Sequence, residues 1–278
     1  MKKEKSLLTL LQYADCVKLF FTDAHSKPSD NFRRFDALGK MIVDIQPDAI
    51  IDGGDFSEME TLNIYKGSQL VGGAGGSKFL ENKRYKEDIE ASITARKYIA
   101  DPLKEYNIKQ KKNSKKQYMP RFFWCEGNHE QRIRRVPELI PQLEGWIDIK
   151  EDLIKPTEGF GFEHHNFLEP VDIEGIIYSH YFVTGTMGKP ISGKNKALKA
   201  LEMGHRSCVW GHSHEFDAAY SDTVSGERLI AINGGCFQER NKYMKNVWCG
   251  AVLIYRMPES QEWEYMKLPM EWILGNYL

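Results

Sequence analysis

The chain has 278 residues, with Lys plus Arg at 38 against 39 for Asp plus Glu and a formal charge of −1. That length holds one large domain or two small ones and buries an ample core without disulfides or a structural metal. The near-neutral balance excludes a global pull toward nucleic acid or anionic membrane, so any electrostatic preference is local.

The five cysteines are odd in number and widely spaced in apolar context, with no CxxC pair. They are expected to be reduced, buried thiols of a cytoplasmic protein. The apolar stretch from Leu7 to Leu11 is broken by Thr9 and too short to span a bilayer, so no membrane association is expected.

Val17 to Thr22 is apolar at most positions, as a strand buried on both faces would be, and Asp23 follows directly. Asp30 or Asn31 can cap a helix carrying Phe32, Phe35, Leu38, Ile42 and Ile45 at helical spacing, ended by Pro47. Ala49 to Ile51 is the next apolar run, delivering Asp52, Gly53, Gly54 and Asp55. Strand, helix, strand with polar cargo at the strand ends is the pattern of an α/β sheet whose site lies beyond the strand C-termini.

The region from about 65 to 118 breaks this pattern and reads as an insertion into a single domain spanning 1–278. It holds a glycine-rich loop at 67–76, an amphipathic helix carrying Tyr85, Ile89, Ile93 and Ile99 toward Leu103 and Tyr106, and a lysine run from Lys109 to Lys116 expected as a solvated loop.

The core resumes with Arg121 to Cys125, leading through Glu126 into Gly127, Asn128, His129 and Glu130. Gln131 to Val136 predicts a helix halted by Pro137, with Arg132, Arg134 and Arg135 beside the strand end. Short strands are predicted within Phe160 to Phe167, at Val171 to Ile173 and at Ile176 to Tyr178, the last ending in Ser179 and His180. A helix over Lys194 to Glu202 precedes Cys208 to Trp210, which leads into Gly211, His212, Ser213 and His214. Ala218 to Tyr220, Leu229 to Ile232, Val247 to Tyr255 and Trp263 to Leu268 complete the strands.

Five of the eight histidines, with Asp23, Asp55 and Asn128, thus fall just after short apolar runs. Imidazole, carboxylate and amide oxygen suit manganese, iron, zinc or cobalt, and the absence of cysteine argues against a structural zinc site. Asp23-x-His25 and His212-x-His214 are expected on extended segments, where alternate side chains share one side. Asp55 follows two glycines, where backbone passes close to something, and its carboxylate can bridge two cations.

The ordered set Asp23-Ala24-His25, Gly54-Asp55, Gly127-Asn128-His129-Glu130, His180 and Gly211-His212-Ser213-His214 resembles the calcineurin-like metallophosphoesterase superfamily. The resemblance covers Val17 to about Phe237, including Asn233-Gly234-Gly235 where many members carry an Asn-Pro-Gly turn. It implies a four-layer α-β-β-α fold, a double β-sandwich flanked by helices. It also implies that Asp23, His25, Asp55 and His214 hold one divalent cation and Asp55, Asn128, His180 and His212 a second. Manganese is the first expectation, with iron, zinc, cobalt or nickel as alternatives.

In this resemblance His129 is the proton donor, with a pKa near its ordinary value, and Glu58 orients it, with Glu60 as the alternative. Asn128 and Arg132 bind phosphate, although Arg132 fits a solvated helix face equally well. Glu130 reads as a helix-start carboxylate. The activity implied is phosphoester hydrolysis by metal-activated water. Asp55-Phe56-Ser57 lacks the Asp-Arg-Gly of protein phosphatases, so a phosphodiesterase or nuclease leads, with DNA or RNA among its candidate substrates. The alternatives are a phosphomonoesterase acting on a nucleotide or phosphoprotein, a one-metal hydrolase, and a noncatalytic scaffold on the same fold.

Overall fold

The computed structural model describes residue 11, residues 13–63 and residues 84–278. Residues 1–10 and the glycine-rich stretch at 67–76 lie outside the described residues. The chain forms a mixed α/β fold with the strands predicted from apolar runs as its frame.

The first sheet has six strands in the order β13-β12-β1-β2-β3-β4. They are β1 (Cys16–Phe21), β2 (Ala49–Asp52), β3 (Arg121–Cys125), β4 (Phe162–His165), β12 (Gly250–Arg256) and β13 (Trp263–Pro269). β1 to β4 run parallel, and β12 and β13 close one edge antiparallel.

The second sheet has five strands in the order β10-β11-β9-β6-β5. Its members are β5 (Val171–Ile173), β6 (Ile176–Tyr178), β9 (Cys208–Trp210), β10 (Phe216–Asp222) and β11 (Arg228–Gly234), with β6, β9 and β11 parallel. A small hairpin, β7 (Val183–Thr184) and β8 (Lys189–Pro190), was not foreseen.

Period-two alternation sorts the core. Phe20, Ile51 and Phe123 from the first sheet share a buried cluster with Tyr178, Val209, Ile230 and Ile232 from the second. Their neighbours Leu19, Phe21, Ile50, Phe122 and Trp124 point the other way, into a cluster with Phe35, Leu38 and Ile42 of helix α1 (Arg33–Ile45) and Ile99 of helix α2 (Tyr85–Lys112). On the far side of the second sheet, Cys208, Trp210, Leu229 and Ala231 pack with Ala197, Ala200 and Leu201 of helix α5 (Lys196–Gly204). Each fully buried aliphatic or aromatic side chain here stabilises the fold by roughly 1.5–3 kcal/mol.

Two local expectations are corrected. Helix α2 runs into the lysine run as far as Lys112, where Lys109, Lys111 and Lys112 in its last turn complement the helix dipole, while Lys115 and Lys116 lie beyond it on an exposed loop as expected. Helix α3 (Gln131–Leu139) is not halted by Pro137, which sits near its C-terminal end. The C-terminal helix α6 (Met270–Tyr277) follows β13 directly, and Met270 and Ile273 bury its inner face. A short helix, α4 (Lys155–Glu158), precedes β4.

Helix α2 belongs to the same core as α1. Phe32 stacks on Tyr98 at 5.7 Å and 9° between ring planes, and Ile89, Ala95 and Ile99 are buried. Its C-terminal end lies beside the start of β2, where Asn107 bonds both the amide and the carbonyl of Tyr118 and the Tyr118 hydroxyl donates to the Pro47 carbonyl. Among the described residues no helix is long and apolar enough to cross a membrane.

Candidate metal centre

The two sheets bring their parallel strands to a common end. Asp23 and His25 follow β1, Asp55 follows β2, Asn128 and His129 follow β3, His180 follows β6, and His212 and His214 follow β9. Backbone bonds lace these segments together. The Asp23 and His25 amides donate to the carbonyls of Gly54 and Asp55 at 2.9 and 3.0 Å, and the Gly211 amide donates to the His180 carbonyl at 3.1 Å.

The conformation of the ligand segments differs from expectation. Asp23, His25, His212 and His214 all have left-handed backbones, with φ of 52°, 49°, 69° and 57°, so neither pair lies on an extended segment. Asp55 shares this conformation with φ of 49°. Such non-glycine residues cost on the order of 1 kcal/mol or more each and persist where surrounding structure over-determines them. Here the lacing bonds supply that constraint, and the side chains converge through tight turns rather than through strand alternation.

Two glycines make room for this convergence. A Cβ on Gly127 would lie 2.1 Å from the Asp55 nitrogen and 2.3 Å from its Oδ1. A Cβ on Gly211 would lie 2.0 Å from Thr22 Oγ1 and 2.2 Å from Asp23 Oδ2. Both contacts are far inside van der Waals separation, so only glycine fits.

The expected ligands form two clusters, and His25, Glu58 and His129 make a third group of possible donors beside them. In the first, His214 Nε2 lies 3.2 Å from Asp23 Oδ1 and 3.1 Å from His25 Nε2. In the second, His180 Nε2 lies 3.2 Å from Asp55 Oδ2, 3.2 Å from His212 Nδ1 and 3.0 Å from Asn128 Oδ1. Donor atoms about 2.0–2.1 Å from one cation sit roughly 3 Å from each other when they occupy adjacent coordination positions. Asp23 Oδ1 is buried with no hydrogen-bond partner among the described residues, which leaves an acceptor aimed into the first cluster. The His/Asp groups therefore have the donor types, the spacing and the unsatisfied atom of a metal site.

The remaining oxygens are committed. Asp23 Oδ2 accepts from Thr22 Oγ1 and from the His212 amide, both at 2.7 Å, and Asp55 Oδ1 accepts from the His129 amide at 2.8 Å. One oxygen of each carboxylate is thus held by the chain and the other left for a cation.

Charges follow this geometry. Burial alone would lower His180, but the Asp55 carboxylate beside it lifts the imidazole to about 9. Burial would raise Asp55, and the surrounding imidazoles hold it well below the usual carboxylate range instead.

Glu58 and His129 depart from their expected arrangement. Nδ1 of His129 is held by the backbone carbonyl of Glu58 at 2.8 Å, not by its carboxylate, which is 4.0 Å away. That carboxylate lies 2.9 Å from His25 Nδ1, and although burial would raise it, this contact draws Glu58 down to about 2. The ordinary pKa expected of His129 is also corrected, since burial lowers it to about 4 despite the nearby Asp55. A neutral ring donating Nδ1–H to the carbonyl presents an unprotonated Nε2 toward the centre, 3.8 Å from Asp55 Oδ2.

Arg132 is not a freely solvated helix residue. Its Nη1 donates to the carbonyls of Glu58 and Met59 at 2.9 and 3.1 Å, and its guanidinium lines a cavity that also touches Asn128 and His212. Glu130 precedes α3 but makes no side-chain cap. Its fully buried carboxylate accepts from the amides of Ser57 and Gly127 at 2.6 and 3.0 Å, tying two ligand loops together, and burial followed by the charge of Asp55 pushes it up to about 7. His164 Nε2 meets the buried Glu126 carboxylate at 3.1 Å.

One supporting pair escaped the sequence reading. Arg96 of α2 is fully buried with Nη1 3.1 Å from Asp52 Oδ2, and its guanidinium lies against the rings of Phe56 and Trp124. Asp52 Oδ1 accepts the Gly54 amide at 3.0 Å, bracing the turn that carries Asp55. A charged residue within the Ile89, Ile93, Ile99 stripe was the available signal.

No family model matches the sequence, and no curated protein matches it. Among solved structures, one aligns at 10% identity with a TM-score of 0.39, covering 90% of this chain and 98% of its own. Another, from Thermus thermophilus, aligns at 8% identity with a TM-score of 0.34, covering 91% and 98%. Likeness at that level carries no argument about what the centre does.

Proposed function

We propose that the protein is a metal-dependent hydrolase of phosphoesters, built on a four-layer α-β-β-α fold like that of calcineurin-like metallophosphoesterases and using two divalent cations. The observation that carries this reading is the pair of clusters with donor atoms about 3 Å apart, meeting at the ends of parallel strands from two sheets. The order of the buried clusters, helix against sheet, sheet against sheet and sheet against helix, supports the four-layer arrangement.

In this reading Asp23, His25, Asp55 and His214 hold one cation, and Asp55, Asn128, His180 and His212 the other. Bound there, two cations supply a more acidic water and neutralise charge on the phosphoryl oxygens. The water oxygen would bond to phosphorus as the bond to the leaving oxygen breaks. His129 Nε2, unprotonated because Nδ1 donates to the Glu58 carbonyl, would take the proton that the water sheds and return it to the leaving oxygen. Arg132 and Asn128 stand where they can meet phosphoryl oxygens.

Phosphodiesters remain the leading class. A phosphomonoester of nucleotide size is the second reading, favoured by the shape beside the clusters: a cavity of about 260 Å³ rather than a long basic groove. The lysine run does not extend the site. It ends α2 near Pro47, at the opposite end of β2 from Asp55, and about 20 Å separates Arg96 from Lys111 at 1.5 Å per residue.

The test compares manganese-dependent turnover of bis-p-nitrophenyl phosphate, p-nitrophenyl phosphate and single-stranded DNA, alongside metal analysis of protein purified without chelator. Turnover of the first with bound metal is expected. Metal content near zero together with no turnover of any of the three refutes the reading.

A further inference from the structure

Beside the second cluster, the cavity of about 260 Å³ is lined by Asn128 and His212 at one end, by Gln131, Arg132, Arg135 and Val136 of α3, and by Phe167 and Tyr181. Three features of this lining point the same way.

The first is charge. Two guanidinium groups enter the cavity and no carboxylate lines it. Arg134, between them in sequence, turns away and pairs with the buried Glu126, through Nη2 at 2.9 Å. Neither Arg132 nor Arg135 has a carboxylate partner among the described ion pairs, whereas Arg33, Arg121, Arg206 and Arg256 are all paired. Arg132 lies in the field of Asp55, Glu58 and Glu130 without a direct ion pair, and Arg135 has no carboxylate within ion-pair distance among the described residues, so guanidinium charge beside the centre favours an anionic ligand.

The second feature is a pair of aromatic rings in the cavity wall. Phe167 and Tyr181 meet edge to face at 5.5 Å, and Tyr181 continues onto the His212 ring at 4.7 Å. Both aromatic residues are half-buried, with Tyr181 packing in part against the core of the second sheet, and both line the cavity. A planar ring stacks on such faces and on the guanidinium plane of Arg135.

The third is size. Ligand cavities commonly span about 300–1,000 Å³, and this one, at about 260 Å³, falls just below that range, room for one small ring system. Gln131 adds an amide able to hydrogen-bond the polar edge of a ring.

We propose that this cavity seats the base of a single nucleotide, so that the substrate class is a nucleoside phosphoester whose phosphoryl group lies at Asn128, His212 and Arg132. This rests on the phosphoester reading above and narrows it. Phe167, Tyr181 and Arg135 are then specificity residues that contact the ring, one step removed from the reacting phosphorus.

Calorimetric titration of the manganese-loaded protein with adenosine 5′-monophosphate, ribose 5-phosphate and inorganic phosphate tests the assignment without relying on turnover. The nucleotide is expected to bind about tenfold more tightly than ribose 5-phosphate, the gain that stacking one base confers. That ratio is expected to fall to about one in Phe167→Ala/Tyr181→Ala and to shrink in Arg135→Ala, a solvent-exposed position where loss of folding is not at issue. Equal binding of nucleotide and ribose 5-phosphate by the unaltered protein, or an undiminished ratio in the variants, overturns the assignment of the cavity alone. Failure of all three ligands to bind overturns both this inference and the phosphoester reading.

Discussion

Replacing Arg96 by Met removes a guanidinium that is fully buried against Phe56 and Trp124, while roughly preserving its length and apolar contacts. Asp52, 3.1 Å away and 1% exposed, is left as a buried acid without a counter-charge. Breaking a buried pair in this way costs about 3–5 kcal/mol where the acid would be ionised, which for Asp52 means above about pH 6.

The pH dependence separates this mechanism from simple loss of packing. Burial already lifts Asp52 from its ordinary 3.8 to about 6, with Arg96 opposing the rise. A raised acid contributes stability that is complete below its unfolded pKa and lost as pH climbs to the folded value, here about 3 kcal/mol at about 1.4 kcal/mol per unit. Below pH 6 the folded wild type and variant both keep Asp52 protonated, so their stabilities run parallel. Above pH 6 wild-type Asp52 ionises against Arg96, whereas the variant holds its proton to higher pH. The gap therefore widens by about 1.4 kcal/mol per unit from pH 6 upward.

Urea unfolding of the metal-free proteins, followed by tryptophan fluorescence between pH 5.5 and 7.5, measures the gap. Histidines remote from Asp52 titrate alike in both proteins and cancel in the difference, whereas His180, which interacts with Asp52, is present in both. A gap below about 1 kcal/mol, or one that stays level between pH 6 and 7.5, refutes the account. In Asp52→Asn/Arg96→Met the slope is expected to vanish, because no buried carboxyl remains to titrate.

Asp55→Asn is expected to lose both metal and turnover, whereas His129→Gln keeps metal and loses turnover by about 10²–10⁴-fold; parallel metal analysis and kinetics distinguish them, and identical behaviour contradicts the separate roles. Gly211→Ala drives a Cβ to within 2.2 Å of Asp23 Oδ2 and should lower stability by about 1–3 kcal/mol, with a drop in metal affinity visible as a smaller melting shift on adding manganese. Saturating manganese at about 100 times its dissociation constant should stabilise the protein by about 2.7 kcal/mol. Because metal-free His180 titrates near 9 and must shed its proton to bind, manganese affinity should fall as pH drops from 9 to 6, with proton release detectable by calorimetry in buffers of different ionisation enthalpy.

The seven expected ligands, Asp23, His25, Asp55, Asn128, His180, His212 and His214, converge in two clusters as their positions after apolar runs implied. A short buried strand declares itself through local composition, and the residue that follows it is local information too. The roles of Glu58, Glu130 and His129 were less legible, because a backbone carbonyl, a buried carboxylate strut and a desolvated ring depend on which segments pack together.

Sequence by itself determined where the strands run, which side chains stand at their ends and that their donor atoms suit a divalent cation. It did so because period-two burial and residue chemistry are properties of short segments. Only the tertiary structure decided that five of the seven expected ligands adopt left-handed backbones, that Arg96 lies beneath Asp52 and that the lysine run sits at the far end of the sheet. It also joined Phe167 and Tyr181 to the arginines of α3 around one cavity. These features arise from contacts between residues tens of positions apart, and no local pattern encodes the register at which two sheets and a long helix meet.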